Sequence, residues 1–385
     1  MSSSPYPDVD ALRELFPVTE QCAYLNHAAV GTLSNRVRDA MATYLSDRAL
    51  ASGLVQHEYV SEDLRCSLAR LTNATPEEIG LVQNTSEGLN LAANALPLEP
   101  GDNVLFCDME FPANVYPWMN LQPRGIETRC VPHHGGGLTL EALEEHADDR
   151  TRVVAVSSVE FLTGFRSDLA ALGAWCRRHG CYFVVDGIQS LGVLPMDVKA
   201  YEIDFLSCGG PKWLMGPAGQ GFFYVRGDLL DQLQPPFAGC VSVAGWEAWR
   251  DYDLTFLPDA RRFDLGCGNL VGQVGLLAAV QTLLTVGMNK IAAWTRHLTD
   301  LLMEDLRCRG YQIVSNPSPE RRSAILTFAV DGDVDQAYDR LIAADVIISK
   351  RETFIRVSPH CYNTEEEILR VGEVLGDAQT RGLDD

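Results

Sequence analysis

Residues 181–225 read CYFVVDGIQSLGVLPMDVKAYEIDFLSCGGPKWLMGPAGQGFFYV, and this stretch decides the fold. It opens with the apolar run 182–185, whose short length and β-rich composition predict a strand buried on both faces. The run ends at Asp186, and open α/β sheets place ligand groups at the carboxyl ends of their strands. A second apolar run, 203–206, leads through a Gly-Gly turn to Lys212, which lies between a proline and a tryptophan. Such neighbours remove water from an ammonium group and lower its pKa, as a Schiff-base lysine requires.

Asp186 and Lys212 together suggest pyridoxal 5'-phosphate (PLP) chemistry. That cofactor needs a lysine for its aldehyde and an acid that keeps the pyridine nitrogen protonated, so that the ring can accept electrons. Two neighbouring strand ends could supply both groups. Taken singly, each residue has an ordinary explanation, since Asp186 could cap a helix and Lys212 could be a solvated loop lysine.

The sequence around these two residues contains three motifs: Asp186-x-x-Gln189, Gly210-Pro211-Lys212-Trp213-Leu214 and Gly216-Pro217-x-Gly219-x-Gly221. Together they resemble the core motifs of the class V aminotransferase/cysteine desulfurase family of fold-type I PLP-dependent enzymes. The resemblance implies that Lys212 carries the cofactor and that Asp186 holds its ring nitrogen, which makes both residues catalytic. It also implies that Gln189 touches the ring hydroxyl.

Segment 84–90 predicts a helix that begins directly after a strand. Asn84 is a favourable N-cap, and Glu87 three residues later completes a capping-box pattern. The free N–H groups of such a helix, with the hydroxyls of Thr85 and Ser86, suit an anion, although ordinary helix caps have the same composition. In the resembled family the corresponding turn binds the cofactor phosphate, which implies this role for Thr85 and Ser86.

Three further cofactor contacts follow from the resemblance alone. Phe111 stands where related enzymes often have a histidine that stacks on the pyridine ring. A phenylalanine can stack but cannot relay protons, and it could also be a plain core residue. Ser158 stands at the position of a family asparagine near the ring hydroxyl. Gly266 and Cys267 match a Gly-Thr pair that reaches the neighbouring subunit's cofactor phosphate, and a thiol is a poor donor, so this contact must weaken or pass to backbone N–H groups.

The substrate contacts are predicted at both ends of the chain. Arg356 lies on an alternating strand, and its planar fork suits bidentate capture of a carboxylate, although a surface arginine on an edge strand would be the commoner case. In the resembled family the arginine of this Arg-x-Ser pattern binds the α-carboxylate of an amino acid. The early segment 24–31 resembles one that enters the active site, which implies that His27 and Ala28 lie near the substrate.

The order of predicted elements indicates an α/β fold. Strands alternate with helices from residue 81 to 225, which is typical of a mostly parallel sheet flanked by helices. The resemblance implies a seven-stranded-type sheet with a smaller α+β C-terminal domain. We expect an N-terminal segment, 1–19, on the small domain, a large PLP-binding domain, 20–260, and the small domain itself, 261–385.

The amino-acid composition indicates which classes of binding partner are disfavoured. The formal net charge of −21 speaks against nucleic acid or an anionic membrane surface. The eleven cysteines are scattered, with no C-x-x-C pair, which suits reduced thiols rather than disulfides or a zinc site. No segment suits a signal peptide or a membrane span. We therefore expect a cytoplasmic protein without a metal, and the resemblance implies a homodimer with active sites at the subunit interface.

The reaction type stays open, because one fold with one cofactor hosts several reactions on an amino-acid substrate. Desulfurases of the family carry a nucleophilic cysteine shortly before the strand of Arg356, whereas residues 341–355 contain no cysteine. Transamination is our first expectation. A C–S lyase that eliminates sulfur from cysteine or cystine, or an amino-acid epimerase, is the alternative. A catalytically inactive binding scaffold is disfavoured by the intact set of Asp186, Lys212 and Arg356.

Overall fold

The computed structural model of the chain describes residues 4–50, 59–248, 250–330 and 332–378. Helices and strands alternate through the first two thirds of the chain. The strands are β1 (Ala23–Tyr24), β2 (Ile79–Val82), β3 (Asn103–Cys107), β4 (Glu127–Val131), β5 (Thr151–Ser157), β6 (Tyr182–Asp186), β7 (Phe205–Gly209), β8 (Gly221–Val225), β9 (Leu326–Ala329), β10 (Val346–Ile347), β11 (Ser349–Arg351) and β12 (Phe354–Val357).

The described helices differ widely in length, and the two longest follow each other directly. They are α1 (Val9–Arg13), α2 (Asn35–Arg48), α3 (Val60–Thr72), α4 (Thr85–Ala95), α5 (Tyr116–Met119), α6 (Leu140–His146), α7 (Leu169–His179), α8 (Leu270–Val286), α9 (Met288–Cys308), α10 (Val334–Ala343) and α11 (Glu365–Leu375).

A seven-stranded sheet forms the centre of the molecule, in the order β2-β8-β7-β6-β5-β3-β4. Strands β7, β6, β5, β3 and β4 run parallel, and β8 is antiparallel to both of its neighbours. Alternate side chains of β6 enter two different cores: Phe183 and Val185 pack on one face, and Val184 packs on the other. The sheet is therefore buried on both faces, as the apolar run 182–185 predicts.

The strand ends determine where polar groups meet. Asp186 is the last residue of β6, and Lys212 follows the end of the adjacent β7 by a short turn. Helix α4 begins next to them, because Ser207 on β7 donates a hydrogen bond to the carbonyl of Thr85 over 2.9 Å. The predicted N-cap is confirmed, since the Asn84 side chain accepts from the N–H of Glu87.

The C-terminal part contains a second, antiparallel sheet in the order β11-β12-β9, with α9 and α11 packed beside it. Early residues join this part, because β1 pairs with β10 and Leu25 packs in the same core. Arg13 on α1 forms an ion pair of 2.7 Å with Glu367 on α11. The α/β fold with a smaller C-terminal α+β unit is thus confirmed.

The predicted domain boundaries stay a prediction, and packing does not follow them everywhere. Helix α8 lies within the predicted small domain but packs on α2 and α3, and its Leu276 and Val280 belong to the core of the large sheet. Residues 1–3 and 379–385, at the outer ends of the predicted N-terminal segment and small domain, lie outside the described residues.

Two properties of the described chain bear on the expected partners. No single helix there is long and apolar enough to cross a membrane, and α8 and α9 meet that test only as a pair bent by 80°. All eleven cysteines are free thiols. The described part of the chain contains no group of three or more His, Cys, Asp or Glu side chains placed to hold a metal ion.

Candidate active site

The turn after β7 fixes Lys212 by contacts with its backbone. The N–H of Gly31 donates to the carbonyl of Pro211 over 2.7 Å. A Cβ on Gly31 would lie 2.1 Å from the carbonyl oxygen of Lys212, so only glycine allows this close approach. The adjacent Trp213 is fully buried, and its indole N–H donates to Oε1 of Gln189 over 2.7 Å. The lysine backbone is therefore held rigidly while its side chain extends away.

The amine of Lys212 is free for chemistry. Within the described chain, Nζ has no hydrogen bond or ion pair, and it lies 5.7 Å from the centre of the Phe111 ring. Burial lowers the pKa of Lys212 to about 8, although the Asp186 carboxylate opposes that shift. A fraction of the amine is consequently neutral near pH 7 to 8, as a nucleophile or a proton acceptor must be.

Asp186 combines complete burial with an unused acceptor. Its Oδ1 accepts from the N–H of Ile188 over 2.9 Å, whereas Oδ2 has no hydrogen-bond partner among the described residues. Burial raises the pKa of Asp186 to about 6, against the lowering effects of the Ile188 N–H and of Lys212. A buried carboxylate oxygen without a donor is costly, so this site calls for a protonated group from outside the chain.

Gln189, Thr85 and Ser86 lie around the same end of the sheet. The amide of Gln189 is held at both atoms, since it accepts from Trp213 and donates to the carbonyl of Ala28 over 3.0 Å. The hydroxyl of Thr85 accepts from the N–H of Gly209 over 2.9 Å and keeps its own hydrogen for another acceptor. Ser86 is exposed in the first turn of α4, where the N–H groups lack intrahelical acceptors. This arrangement suits a phosphate.

Phe111 and Phe161 form an aromatic wall beside Lys212. Their rings meet edge to face at 5.2 Å, and Phe111 remains 43% exposed although it follows a buried strand end. An exposed aromatic face next to the lysine amine matches a stacking surface for a flat ring rather than a core position. The alternative of a plain core phenylalanine is thus disfavoured by its exposure.

The structure does not bring Ser158 to this wall. Its hydroxyl donates to the backbone carbonyl of Asp186 over 3.0 Å and lies 2.6 Å from Oγ of Ser190. The side chain lines a separate cavity that includes none of Lys212, Phe111 or Gln189. Ser158 therefore supports the backbone of Asp186, and a direct contact with a ring hydroxyl stays a prediction without a geometric basis here.

Arg356 lies deep in the molecule, on the central strand of the small sheet, and not on a surface edge. Its Nε donates to Oγ of Ser349 over 3.3 Å, and its Nη1 donates to the carbonyl of Phe161. Nη2 has no partner among the described residues. Burial lowers the pKa of this guanidinium, with Arg351 adding to the effect. An incoming carboxylate would supply the missing counter-ion.

His27 and Ala28 are held by protein contacts. His27 is fully buried, with Nδ1 3.0 Å from the carbonyl of Ser358 and Nε2 2.8 Å from the hydroxyl of Tyr362. Burial, assisted by nearby His360, lowers the pKa of His27 well below its usual value, so the ring is neutral. Ala28 contributes its carbonyl to Gln189. Both residues therefore support the site, and the predicted nearness to substrate stays a prediction.

Gly266 and Cys267 are exposed and separate from Lys212. They line a cavity of about 260 Å³ that also includes Arg65 and Glu87. This cavity lies beside the first turn of α4, where the cofactor phosphate is predicted to bind. The predicted contact of Gly266 and Cys267 is with the cofactor phosphate of a neighbouring subunit. Their cofactor role stays a prediction.

Sequence reasoning missed two acidic residues of the site. Glu110 is buried, accepts from the N–H and hydroxyl of Ser157, and accepts from the amide of Asn114 over 3.0 Å. Burial raises the pKa of Glu110 to about 7. Glu160 is fully buried, and neither of its carboxyl oxygens has a partner within the described residues. Its position between Val159 and Phe161, after a buried strand, was a usable signal.

The residues fit PLP. A free lysine amine, an unpaired buried carboxylate oxygen, an exposed aromatic face and a helix N-terminus with hydroxyls converge on one end of the sheet. Bound there, the cofactor would be joined to Lys212 and held at its ring nitrogen by Asp186, and Thr85 and Ser86 would hold its phosphate.

Several known proteins are similar to this chain in sequence or in structure. A cysteine desulfurase of Salmonella dublin is 33% identical over 401 residues, covering 94% of this chain and 96% of the relative. The apo structure of a cysteine desulfurase from Thermococcus onnurineus NA1 matches with a TM-score of 0.88 at 25% identity, over 97% of this chain and 99% of that chain. The complex of the cystine C-S lyase C-DES with its product cysteine persulfide matches with a TM-score of 0.86 at 25% identity, over 94% and 99% of the two chains.

The family model described as Aminotransferase class-V matches residues 23–371, which is nearly the whole described chain. That span includes β1, the complete central sheet, the turn that holds Lys212 and the strand that holds Arg356. We conclude that this chain belongs to the Aminotransferase class-V family and is a PLP-dependent enzyme with the fold-type I architecture.

Proposed function

We propose that the protein is a PLP-dependent C–S lyase that eliminates sulfur from a cysteine-type amino acid. Transamination was the first expectation from sequence, and the C–S lyase was its alternative. The relatives named cysteine desulfurase and the cystine C-S lyase structure support the alternative, since both act at a carbon–sulfur bond by name. The substrate carboxylate would bind Arg356.

The names of the relatives carry the choice of a C–S lyase, and the hairpin before Arg356 distinguishes it from a desulfurase with its own acceptor cysteine. Strands β11 and β12 pair from Ser349–Arg356 to Arg351–Phe354, so only Glu352 and Thr353 form the turn. Residues 341–355 contain no cysteine. A desulfurase that transfers sulfur to its own cysteine on this loop would need a thiol there. The proposed reaction therefore releases sulfur on the leaving group and not onto the enzyme.

The buried cysteines near the site are unsuited to replace that thiol. Cys208, on β7 before the Lys212 turn, and Cys361, after Arg356, are both fully buried. Burial raises the pKa of Cys208 well above its usual value and that of Cys361 to about 12. Because the thiolate is the nucleophile, neither side chain is prepared to accept sulfur.

The site residues divide the tasks of this reaction among them. PLP, when bound, supplies an electron sink that makes the Cα proton of the substrate acidic. Arg356 orients the substrate through its carboxylate, and Asp186 keeps the proton on the ring nitrogen. The Nζ of Lys212, with its pKa near 8, takes the Cα proton and is the group placed to pass it to the leaving sulfur. Phe111 offers its exposed ring face for stacking on the flat ring of the cofactor.

The test is product analysis of the holoenzyme with L-cystine and L-cysteine, with and without a 2-oxo acid acceptor. With cystine and water, the proposal predicts pyruvate, ammonia and cysteine persulfide without any acceptor. A requirement for the 2-oxo acid would establish transamination instead, and release of the D-amino acid would establish an epimerase. The Cys361→Ser variant is the matched control and should keep its activity.

Attachment of the cofactor is tested separately from the reaction. Borohydride treatment followed by peptide mass analysis should find a pyridoxyl adduct on Lys212 and none in the Lys212→Ala variant. A protein purified without any adduct would instead favour the binding scaffold. The homodimer and the cytoplasmic location stay predictions, for which a mass measurement in solution and cell fractionation are the direct tests.

A further inference from the structure

A second cavity lies behind the active site, between the large sheet and the C-terminal part. It is open to solvent, encloses about 360 Å³, and is lined by residues of the loop after β5, by segment 190–201 and by the turn Pro319–Arg321. Its volume is within the range of small-molecule sites. It shares none of Lys212, Phe111, Gln189 or Arg356 with the catalytic site.

Arg166 is the distinctive charge of this cavity. Its backbone N–H donates to the carbonyl of Arg321 over 2.8 Å, but its half-buried guanidinium has no hydrogen bond or ion pair within the described chain. The other charged side chains of the wall are engaged. Arg321 pairs with Asp168 at 3.5 Å, and Glu320 accepts from the hydroxyl of Ser318 over 2.5 Å. Two arginines and two acidic residues line the cavity, so its formal charge is zero, and Arg166 is the one cation of the wall without a side-chain partner in the described chain.

The other residues of the cavity wall indicate which kind of anion would fit beside Arg166. Leu194, Met196 and Tyr201 supply an apolar side, whereas the hydroxyls of Ser158 and Ser190 are already bonded to each other and to backbone carbonyls. One planar guanidinium pairs well with one carboxylate. The carboxylates of Asp168 and Glu320 would repel a phosphate dianion more strongly than a carboxylate monoanion, and Arg166 is the one cation without a partner among the described residues that line the cavity. The wall thus favours a singly charged molecule with an apolar body.

From this arrangement we propose that the cavity binds a small organic carboxylate through Arg166, at a site separate from Arg356. The site is linked to the catalytic centre, because the Ser158 hydroxyl lies between the cavity and the backbone carbonyl of Asp186. It also bridges the large sheet and the C-terminal turn through the Arg166–Arg321 backbone contact. The proposal does not depend on which reaction the enzyme performs.

The probe is benzoate, with uncharged benzamide of the same shape as its comparison, titrated into the holoenzyme by calorimetry. We expect the affinity for benzoate to fall about tenfold or more in Arg166→Gln, since a charge-assisted pair is lost. Arg356→Gln and the exposed Arg178→Gln should retain binding, and benzamide should bind about tenfold more weakly than benzoate.

A second variant keeps Arg166 and fills the cavity. Ala170 is exposed on the first turn of α7 and lines the cavity, so Ala170→Trp should block benzoate with little effect on folding. The proposal is overturned if Arg166→Gln and Ala170→Trp bind benzoate as the parent does, if binding is lost only in Arg356→Gln, or if no binding is detected at millimolar benzoate.

Discussion

Asp186 shows how a single carboxylate can be specialised by its surroundings. One oxygen is satisfied by a backbone N–H, and the other is buried without a partner in the described chain. Lys212 is close enough to affect the Asp186 carboxylate electrostatically but forms no ion pair with it. The second oxygen is therefore available to a partner that binds from outside, and we propose that the cofactor ring nitrogen is that partner.

Asp186→Asn should lower kcat for pyruvate release by about 10- to 100-fold. An amide leaves the ring nitrogen without its counter-charge, and a hydrogen bond to a charged group contributes about 1.5–3 kcal/mol. The rate should be measured at saturating substrate, with the bound cofactor quantified by absorbance. Asp228→Asn, an exposed carboxylate paired with Arg226, is the control. An unchanged kcat in Asp186→Asn would contradict the assigned role.

The residues that the sequence revealed are those whose roles depend on near neighbours. Asp186, Gln189 and Lys212 stand in contiguous motifs at strand ends, so pattern and resemblance together predicted that they lie near one another. His27 and Ser158 were harder, because their partners are distant in the chain. His27 contacts Tyr362, 335 positions away, and Ser158 contacts Ser190, 32 positions away. Sequence spacing cannot reveal such contacts before the fold is known.

At the scale of elements, the pairing register of the small sheet determines where the guanidinium of Arg356 lies. Arg356 on β12 is directly paired with Ser349 on β11 and with Thr327 on β9. The cross-strand contact to the Ser349 hydroxyl and the bond to the Phe161 carbonyl leave Nη2 unpaired. The strands thus determine which edge of the arginine stays without a partner in the described chain.

Ser349→Ala should raise the KM for the amino-acid substrate about 2- to 10-fold and leave kcat nearly unchanged. Ser349 is a positioning residue, and a single neutral hydrogen bond contributes about 0.5–1.5 kcal/mol. Steady-state kinetics would separate the two constants. Ser349→Thr keeps the hydroxyl and should restore KM. Equal impairment of the two variants would indicate that packing, and not the hydrogen bond, matters.

The elements themselves were predictable to different degrees. Apolar runs such as 182–185 predicted strands correctly because burial on both faces requires unbroken apolar sequence. The pairing of β1 with β10 was not predictable, since two short strands from opposite ends of the chain carry no local pattern. The placement of α8 on the large sheet was missed for the same reason: its apolar surface indicates burial but not the partner.

At the scale of the whole molecule, the central sheet tolerates an unusual concentration of buried acid. Glu110, Glu160 and Asp186 meet near the carboxyl ends of the strands, and burial raises the pKa of each. Only Glu110 is well supplied with donors. Glu160 has none in the described chain, and burial together with the nearby Glu110 and Asp186 carboxylates raises its pKa well above the usual value. Between the unfolded and the folded pKa values, these three carboxyl groups therefore bind more protons in the folded protein than in the unfolded chain.

Glu160→Gln should reduce the loss of stability at higher pH. The pKa of Glu160 is raised in the folded state above about 4.3, the usual value in an unfolded chain. Its contribution to stability is therefore present at low pH and is lost as the pH rises toward the folded pKa. A glutamine does not titrate and lacks this loss. The variant's free energy of unfolding, relative to the parent's, should thus be about 1 kcal/mol or more higher at pH 8 than at pH 5.

Urea denaturation of the cofactor-free protein at the two pH values measures this difference. The buried rings of His27 and His360, whose pKa values burial lowers, titrate equally in both proteins and cancel in the comparison. Glu144→Gln, at an exposed position on α6, is the matched control and should follow the parent at both pH values. If Glu160→Gln also followed the parent, Glu160 would have to be ionised in the folded state. An acceptor-only carboxylate without a donor could not remain buried in that form, so the side chain would have to reach water.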